Sequence, residues 1–133
     1  MQPLNHKPRL RVILAEDNLL IRYALRQIVK AHCEIVAEAG DGQAAVDLAE
    51  ELRPDFALLD ISMPRLSGLA ATRLIKARLS NVRVLILSNY SDPWHINEAF
   101  RVGADGYILK GSALFQLPQA MNDALNGLTF RPA

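Results

Sequence analysis

Residues 10–17 of the chain read LRVILAED, a short apolar segment that ends in two carboxylates. A nearly continuous apolar run is typical of a strand buried on both faces, as strands are in a parallel sheet covered by helices. Residues 19–29 follow at once and place Leu20, Ala24 and Ile28 at helical spacing. The segment therefore predicts the first strand–helix unit of an α/β fold.

The same strand–helix pattern recurs four more times along the chain. The later predicted strands are residues 35–37, 56–59, 82–87 and 107–109, and the later predicted helices are residues 44–52, 69–79, 93–102 and a last helix ending at 125. Because Pro118 lies where the last helix would be running, we expect that helix to start only at residues 115–117. Five such units predict a flavodoxin-like (βα)5 open parallel sheet, in the strand order 2-1-3-4-5, with helices on both faces.

Length and composition limit the classes of protein that need to be considered. The 133 residues fit one domain, and 15 Lys and Arg against 14 Asp and Glu leave a formal charge of +1. This balance gives no electrostatic support to binding of nucleic acid or of a membrane surface. Cys33 is the single cysteine, which excludes an intrachain disulfide and a cysteine-based zinc site. We expect a cytoplasmic domain over residues 10–128, with a tail at 1–9 and a linker or tail starting at 129.

Polar residues stand where four of the predicted strands end. Glu16 and Asp17 follow the first strand, Asp60 the third, Ser88 the fourth and Lys110 the fifth. Strands 1 and 3 are neighbours in the predicted order, about 4.8 Å apart, so three carboxylates would converge. Such a cluster favours Mg²⁺, while a lysine and a hydroxyl suit phosphate oxygens. A carboxylate can also attack phosphorus and form an acyl phosphate.

Each of these residues also has an ordinary structural interpretation. Asp17 could cap the first helix, Asp60 and Ser88 could belong to turns, and Lys110 could extend its stem along apolar surface to reach water. Tyr107 could be a core aromatic with a solvated hydroxyl. The joint placement of Asp17, Asp60, Ser88 and Lys110 at the ends of four different strands favours a functional site over four separate coincidences.

In their order along the chain, these residues resemble the receiver domain of two-component response regulators. The resemblance covers residues 10–128 and is strongest to receivers that precede a LuxR-type helix-turn-helix DNA-binding domain. It rests on four motifs: Glu16-Asp17, Leu59-Asp60 with the later Met63-Pro64 and Gly68, Leu87-Ser88, and GADGYILK at residues 103–110.

The resemblance implies a role for each site residue. Asp60 would be the phosphoacceptor, and Mg²⁺ would be held by Glu16, Asp17, Asp60 and the backbone carbonyl of Ser62. Lys110 and Ser88 would bind the phosphoryl group, and Ser88 with Tyr107 would form the switch. The donor would be a phosphohistidine of a sensor histidine kinase, and the chain would assist only its own phosphorylation and dephosphorylation. It would act on DNA only through a second domain absent from this chain, and homodimerisation is left open.

Three alternative functions are compatible with the sequence. The chain could be a stand-alone receiver that acts by protein contacts. A flavin-binding electron-transfer module would need a loop rich in Gly, Ser or Thr after the first strand, where residues 16–19 are EDNL. An aspartyl-phosphate hydrolase commonly has a second Asp two residues after its nucleophile, where Ser62 stands. We further expect the bulk of Asn89 and Tyr90, which follow Ser88, to restrict the access of attacking water.

Overall fold

Five parallel strands form one sheet, in the order β2-β1-β3-β4-β5, in the computed structural model of the chain, which describes residues 9–132. The strands are β1 (Arg11–Ala15), β2 (Glu34–Ala39), β3 (Phe56–Leu59), β4 (Arg83–Ser88) and β5 (Gly106–Leu109). The predicted flavodoxin-like order is confirmed. Apart from Arg9, the predicted N-terminal tail lies outside the described residues.

The helices cover both faces of this sheet. They are α1 (Leu19–Val29), α2 (Gly42–Leu52), α3 (Gly68–Arg78), α4 (Pro93–Arg101) and α5 (Ala113–Leu125). Helices α1 and α5 bury Leu25 and Leu117 in one apolar cluster, whereas α2, α3 and α4 contribute to the cluster on the other face. None of the helices among residues 9–132 has the length and apolarity that crossing a membrane requires.

Four helices begin where a short polar side chain caps their first turn. The side chains of Asn18, Asp41, Ser67 and Asp92 each accept a hydrogen bond from the backbone N–H three residues further on. These caps satisfy amide groups that have no partner inside the helix, and they set where α1 to α4 begin. The predicted bounds of these helices are correct to within two residues.

The predicted late start of the last helix is wrong. Helix α5 begins at Ala113, directly after a 3₁₀ turn at Lys110–Ser112, and Pro118 lies inside it. The proline removes one hydrogen bond, the one that its N–H would have donated to the carbonyl of Leu114. Leu114 and Pro118 are both exposed, so water can satisfy that carbonyl, while Ala113 and Leu117 are buried against the sheet. Burial of one face of α5 therefore stabilises the helix by more than Pro118 destabilises it.

The residues after α5 return to the edge of the sheet. Phe130 forms a parallel bridge with Gly106, and its carbonyl accepts a hydrogen bond of 2.8 Å from the N–H of Tyr107. The guanidinium of Arg131 lies 4.1 Å from the centroid of the Phe100 ring on α4. The segment therefore covers part of the β5 edge. The linker predicted to start at residue 129 stays a prediction.

Candidate functional site

Hydrogen bonds of the sheet continue beyond the strand ends and position the acidic residues. The N–H of Glu16 donates to the carbonyl of Ala39, and the N–H of Asp60 donates to the carbonyl of Ala15, both at 3.0 Å. Carboxylate oxygens of Glu16, Asp17 and Asp60 all lie within 4.8 Å of one another. The convergence expected from the strand order is present, because neighbouring parallel strands end at the same edge.

The three carboxylates differ in their surroundings. Glu16 and Asp60 are buried, whereas Asp17 is exposed. Glu16 Oε2 accepts a hydrogen bond of 3.1 Å from the N–H of Asn18, and Asn18 in turn caps α1 by accepting from the N–H of Ile21 at 3.0 Å. The capping role considered for Asp17 therefore belongs to Asn18. The Asp17 side chain is free to take part in the acidic cluster.

Lys110 contacts two of these carboxylates. Its Nζ lies 2.6 Å from Glu16 Oε1 and 3.1 Å from Asp60 Oδ1. The side chain is only 11% exposed, so it is a partner of the acidic cluster and does not extend into water. Burial by itself would lower the pKa of Lys110, but the hydrogen bond with Glu16 and the charge of Asp60 raise it above its usual value. The peptide bond from Lys110 to Gly111 is trans.

Asp60 carries its charge in unfavourable surroundings. Burial raises the pKa of its carboxyl, and the negative charge of Glu16 raises it further, while Lys110 offsets part of the effect. Burial withdraws a carboxylate from water, and a second carboxylate close by adds repulsion. A further positive charge at this position would therefore stabilise the ionised form of Asp60.

The acidic cluster opens into a cleft of about 430 Å³ at the carboxyl ends of the strands. Its lining residues are Glu16, Asp17, Asn18, Ile21, Asp60, Ser62, Asn89, Tyr90 and Lys110. This set brings together seven of the residues expected to act there, including both residues that follow Ser88. The cleft is large enough to hold a hydrated cation or a phosphoryl group beside Asp60.

Ser88 and Tyr107 lie behind the cleft and do not line it. Both side chains are fully buried. The Ser88 hydroxyl accepts a hydrogen bond of 2.9 Å from the N–H of Tyr90, and the Tyr107 hydroxyl donates one of 2.7 Å to the carbonyl of Tyr90. Burial raises the pKa of the Tyr107 phenol. The two expected switch residues are thus connected through the backbone of Tyr90.

Gly68 allows the first turn of α3 to approach the backbone of Asp60. A Cβ atom at this position would lie 1.9 Å from the carbonyl oxygen of Asp60. The N–H of Gly68 also donates a hydrogen bond of 2.8 Å to the carbonyl of Ile61. The absence of a side chain at Gly68 is therefore part of how the residue that follows β3 is positioned.

Sequence reasoning missed the residues that hold Tyr90. The Tyr90 ring stacks on the His95 imidazole with 3.8 Å between centroids and 5° between planes. The Nδ1 atom of His95 lies 2.8 Å from the carboxylate of Asp92. The sequence pattern that bears on these contacts is Asp92-Pro93 at the predicted start of a helix, with His95 three residues after Asp92. It indicated a helix N-terminus but not a contact with Tyr90.

The residues present fit a divalent cation of the hard type. Three carboxylates converge, at least one of them can reach solvent, and the cleft has room for water ligands. Mg²⁺ is held in this manner, by one or two carboxylates with several waters retained. The cysteine and histidine ligands that would favour zinc are absent from the residues lining the cleft.

The sheet order and the site together define a class of protein, the receiver-type α/β signalling domain. The family model of the response regulator receiver domain matches residues 12–122. The chain therefore belongs to the response regulator receiver domain family, and it is the receiver domain of a two-component response regulator.

Relatives of the chain are transcriptional regulators by their names. The uncharacterized transcriptional regulatory protein YxjL of Bacillus subtilis is 36% identical over 90% of this chain and 54% of its own length. The transcriptional regulatory protein DegU of Brevibacillus brevis is 36% identical over 77% of this chain and 44% of its own length. The chain thus spans about half the length of these relatives.

Solved structures agree with this assignment. A LuxR-family two-component response regulator from Aurantimonas sp. SI85-9A1 is 31% identical with a TM-score of 0.85, covering 92% of this chain and 89% of that one. A LuxR-family DNA-binding response regulator from Staphylococcus aureus is 32% identical with a TM-score of 0.80, covering 86% of this chain and 98% of that one. The expected similarity to LuxR-type receivers is confirmed.

Proposed function

We propose that the chain accepts a phosphoryl group on Asp60 from a phosphohistidine of a sensor histidine kinase, with Mg²⁺ as cofactor. One observation carries the proposal: Lys110 Nζ lies beside both Asp60 and Glu16, at the edge where three carboxylates converge. This arrangement pairs a nucleophile with positive charge for the oxygens of a phosphoryl group. Family membership favours this function over the flavin-binding and hydrolase alternatives.

The metal in this proposal is held by Glu16, Asp17, Asp60 and the backbone carbonyl of Ser62. The carboxylates of the first three lie together, and Ser62 lines the same cleft. Bound Mg²⁺ would supply positive charge that favours the ionised form of Asp60 and offsets charge on the phosphoryl oxygens. Asn18 orients Glu16 for this role, because its N–H binds Glu16 Oε2.

In the transfer step, a carboxylate oxygen of Asp60 attacks phosphorus and forms a new P–O bond. The P–N bond to the donor imidazole breaks, and the imidazole nitrogen keeps the electron pair. Lys110 is already placed within 3.1 Å of Asp60 Oδ1, so its ammonium can stabilise charge on the phosphoryl oxygens without reorganisation. In this proposal the chain assists its own phosphorylation and dephosphorylation and has no other catalytic activity.

Ser88 and Tyr107 form the switch in this proposal. The Ser88 hydroxyl accepts from the N–H of Tyr90, which leaves its own hydrogen for a phosphoryl oxygen. The Tyr107 ring is already in the inward, buried position and bonded to the Tyr90 carbonyl. Phosphorylation would therefore stabilise this inward arrangement relative to others, and would shift a population without creating a new state.

The length and the names of the relatives suggest how the chain would reach DNA. The relatives are about twice as long as this chain, and their names describe transcriptional regulatory proteins. We propose that the chain is the receiver part, residues 10–128, of a cytoplasmic regulator that reaches DNA through a second domain. The alternative to this proposal is a stand-alone receiver that acts by protein contacts. Either form of the protein is compatible with pairing of two copies of the chain.

Intact-mass measurement after incubation with Mg²⁺ and acetyl phosphate tests the proposal. The wild type should gain one phosphoryl group, and the Asp60→Asn variant should gain none. Asp47→Asn, a change at an exposed residue of α2, should gain one group like the wild type. An adduct that persists in Asp60→Asn, or that forms equally well after Mg²⁺ is removed with a chelator, would overturn the assignment.

A further inference from the structure

The side chain of Tyr90 bridges two loops at the mouth of the cleft. It lines the same cleft as Asp60, and its hydroxyl lies 3.2 Å from Ser62 Oγ, at hydrogen-bond distance. Ser62 belongs to the loop after β3, whereas Tyr90 belongs to the loop after β4. The Tyr90 ring therefore forms part of the mouth of the cleft beside Asp60.

Helix α4 holds the other side of this contact. His95, in the first turn of α4, lies parallel to the Tyr90 ring at 3.8 Å. Asp92 fixes the imidazole, because its carboxylate lies 2.8 Å from His95 Nδ1 and also accepts from the His95 N–H at 3.1 Å. Trp94 contacts the imidazole edge-on, with 4.9 Å between ring centroids. The imidazole is thus held by its own helix start.

Core packing does not impose the position of the Tyr90 ring. Tyr90 is 41% exposed, and its backbone groups are bonded to Ser88 and Tyr107, which fixes the main chain but leaves the side-chain torsions free. The contacts that fix the ring itself are the stack on His95 and the hydrogen bond with Ser62. Loss of the stack would remove the larger of these two contact surfaces.

We propose that His95 is a positioning residue that holds the Tyr90 ring across the mouth of the cleft and so prolongs the lifetime of phosphorylated Asp60. This inference rests on the proposed function. In the hydrolysis that it slows, the oxygen of a water molecule bonds to phosphorus as the P–O bond to Asp60 breaks. The carboxylate of Asp60 keeps the electron pair, and the protons of the water go to phosphate and solvent. Exclusion of water from the cleft lowers the rate of this step.

The test compares phosphoryl half-lives of the full chain. Each protein is loaded with acetyl phosphate and Mg²⁺, desalted, and followed by intact mass. His95→Ala and Tyr90→Ala should each shorten the half-life by about tenfold, equivalent to about 1.4 kcal/mol in the barrier. His95→Phe should restore the long half-life, because a phenyl ring can stack on Tyr90 without the bond to Asp92.

Two further variants separate shielding by the ring from other effects. Tyr90→Phe keeps the ring and should keep at least most of the wild-type half-life. Asn97→Ala, a change at an exposed residue of α4, serves as the matched control and should behave as the wild type. Circular dichroism verifies that each variant is folded, and the His95→Phe rescue separates a positioning role from a loss of helix stability.

The outcomes distinguish this inference from the function on which it rests. Equal half-lives in the wild type and His95→Ala, or a failure of His95→Phe to restore the half-life, would overturn the role of His95 while leaving phosphorylation of Asp60 intact. A wild type that acquires no phosphoryl group at all would overturn the proposed function, and this inference with it.

Discussion

At the scale of single residues, Asp60 combines two opposing requirements. A nucleophilic carboxylate has to be ionised, yet this one is buried beside Glu16 and its pKa is raised. The contact with Lys110 Nζ at 3.1 Å supplies part of the compensation. The site therefore places a carboxylate where its surroundings destabilise the charged form, and this effect on stability can be measured.

Replacing Asp60 by Asn is expected to raise the free energy of unfolding at pH 7 without divalent cations, by about 1 kcal/mol. The amide removes a buried negative charge that lies beside Glu16. Urea denaturation followed by circular dichroism measures the difference. Addition of Mg²⁺ should then stabilise the wild type, by about 2.7 kcal/mol at a hundred times its Kd, and should stabilise Asp60→Asn less. A wild type that is more stable than Asp60→Asn without Mg²⁺ would contradict the expectation.

The difference between these two proteins should depend on pH. A raised pKa in the folded state means that the folded protein binds a proton more tightly than the unfolded chain does. The wild type should therefore lose stability as the pH rises from the usual aspartate pKa, about 3.9, through the raised pKa of Asp60. Asp60→Asn lacks this loss, so its advantage should grow over that window. Asp47→Asn should follow the wild type, and an advantage that shrinks as the pH rises would be inconsistent with a raised pKa.

At the scale of elements, α5 shows how burial of one face overrides a local signal. The helix runs through Pro118, although the proline leaves the Leu114 carbonyl without its helical partner. Leu117, Ala120 and Ala124 are buried against the sheet. Packing along the length of the helix therefore stabilises it, and the carbonyl that lacks its helical partner because of the proline lies at an exposed position.

The Pro118→Ala substitution is expected to raise the free energy of unfolding by about 1–3 kcal/mol. Alanine restores the N–H that the Leu114 carbonyl lacks, and proline inside a helix costs about 3 kcal/mol relative to alanine. The gain is reduced because alanine also increases the conformational freedom of the unfolded chain. Thermal or urea denaturation measures it, with the exposed Asn122→Ala on the same helix as the control. An unchanged or lower free energy of unfolding of Pro118→Ala would show that Pro118 does not destabilise α5 relative to alanine.

At the scale of the whole molecule, the segment after α5 connects parts of the chain that are far apart in sequence. Phe130 pairs with Gly106 and packs against the apolar cluster between the sheet and helices α1 and α5. Arg131 lies over the ring of Phe100 on the opposite side of the sheet, an arrangement that favours a cation–π interaction. The backbone of Tyr107 is bonded to this segment, so the proposed switch residue and the end of the described chain are in direct contact.

Replacing Phe130 by Ala is expected to lower the free energy of unfolding by about 1–3 kcal/mol, less than for a fully buried Phe, because Phe130 is half-buried. The amide of Tyr107 should also exchange its hydrogen faster, because it donates to the Phe130 carbonyl. Hydrogen–deuterium exchange with mass spectrometry measures this effect, and Thr129→Ala at an exposed position is the control. An unchanged exchange rate of the Tyr107 amide in Phe130→Ala would show that the Phe130 side chain does not hold the segment after α5 against the sheet.

Sequence by itself determined the five strand–helix units, their order in the sheet and the residues at the strand ends. This was possible because the patterns are local: apolar runs, helical spacing and polar strand ends can be identified without knowing what packs against them. Strand order then placed Glu16, Asp17 and Asp60 at one edge, since parallel strands of neighbouring units end on the same side. The start of α5 was predicted incorrectly because Pro118 was weighed without its buried neighbours.

Only the tertiary structure decided how these residues contact one another. It placed Lys110 between Glu16 and Asp60, and it gave the helix cap to Asn18, which leaves Asp17 to the acidic cluster. It stacked His95 on Tyr90 and returned Phe130 to the β5 edge. Such contacts depend on side-chain torsions and on the packing of segments distant in sequence. Hydrophobic periodicity carries no information about either, because it records which face of an element is buried and not which side chain it meets.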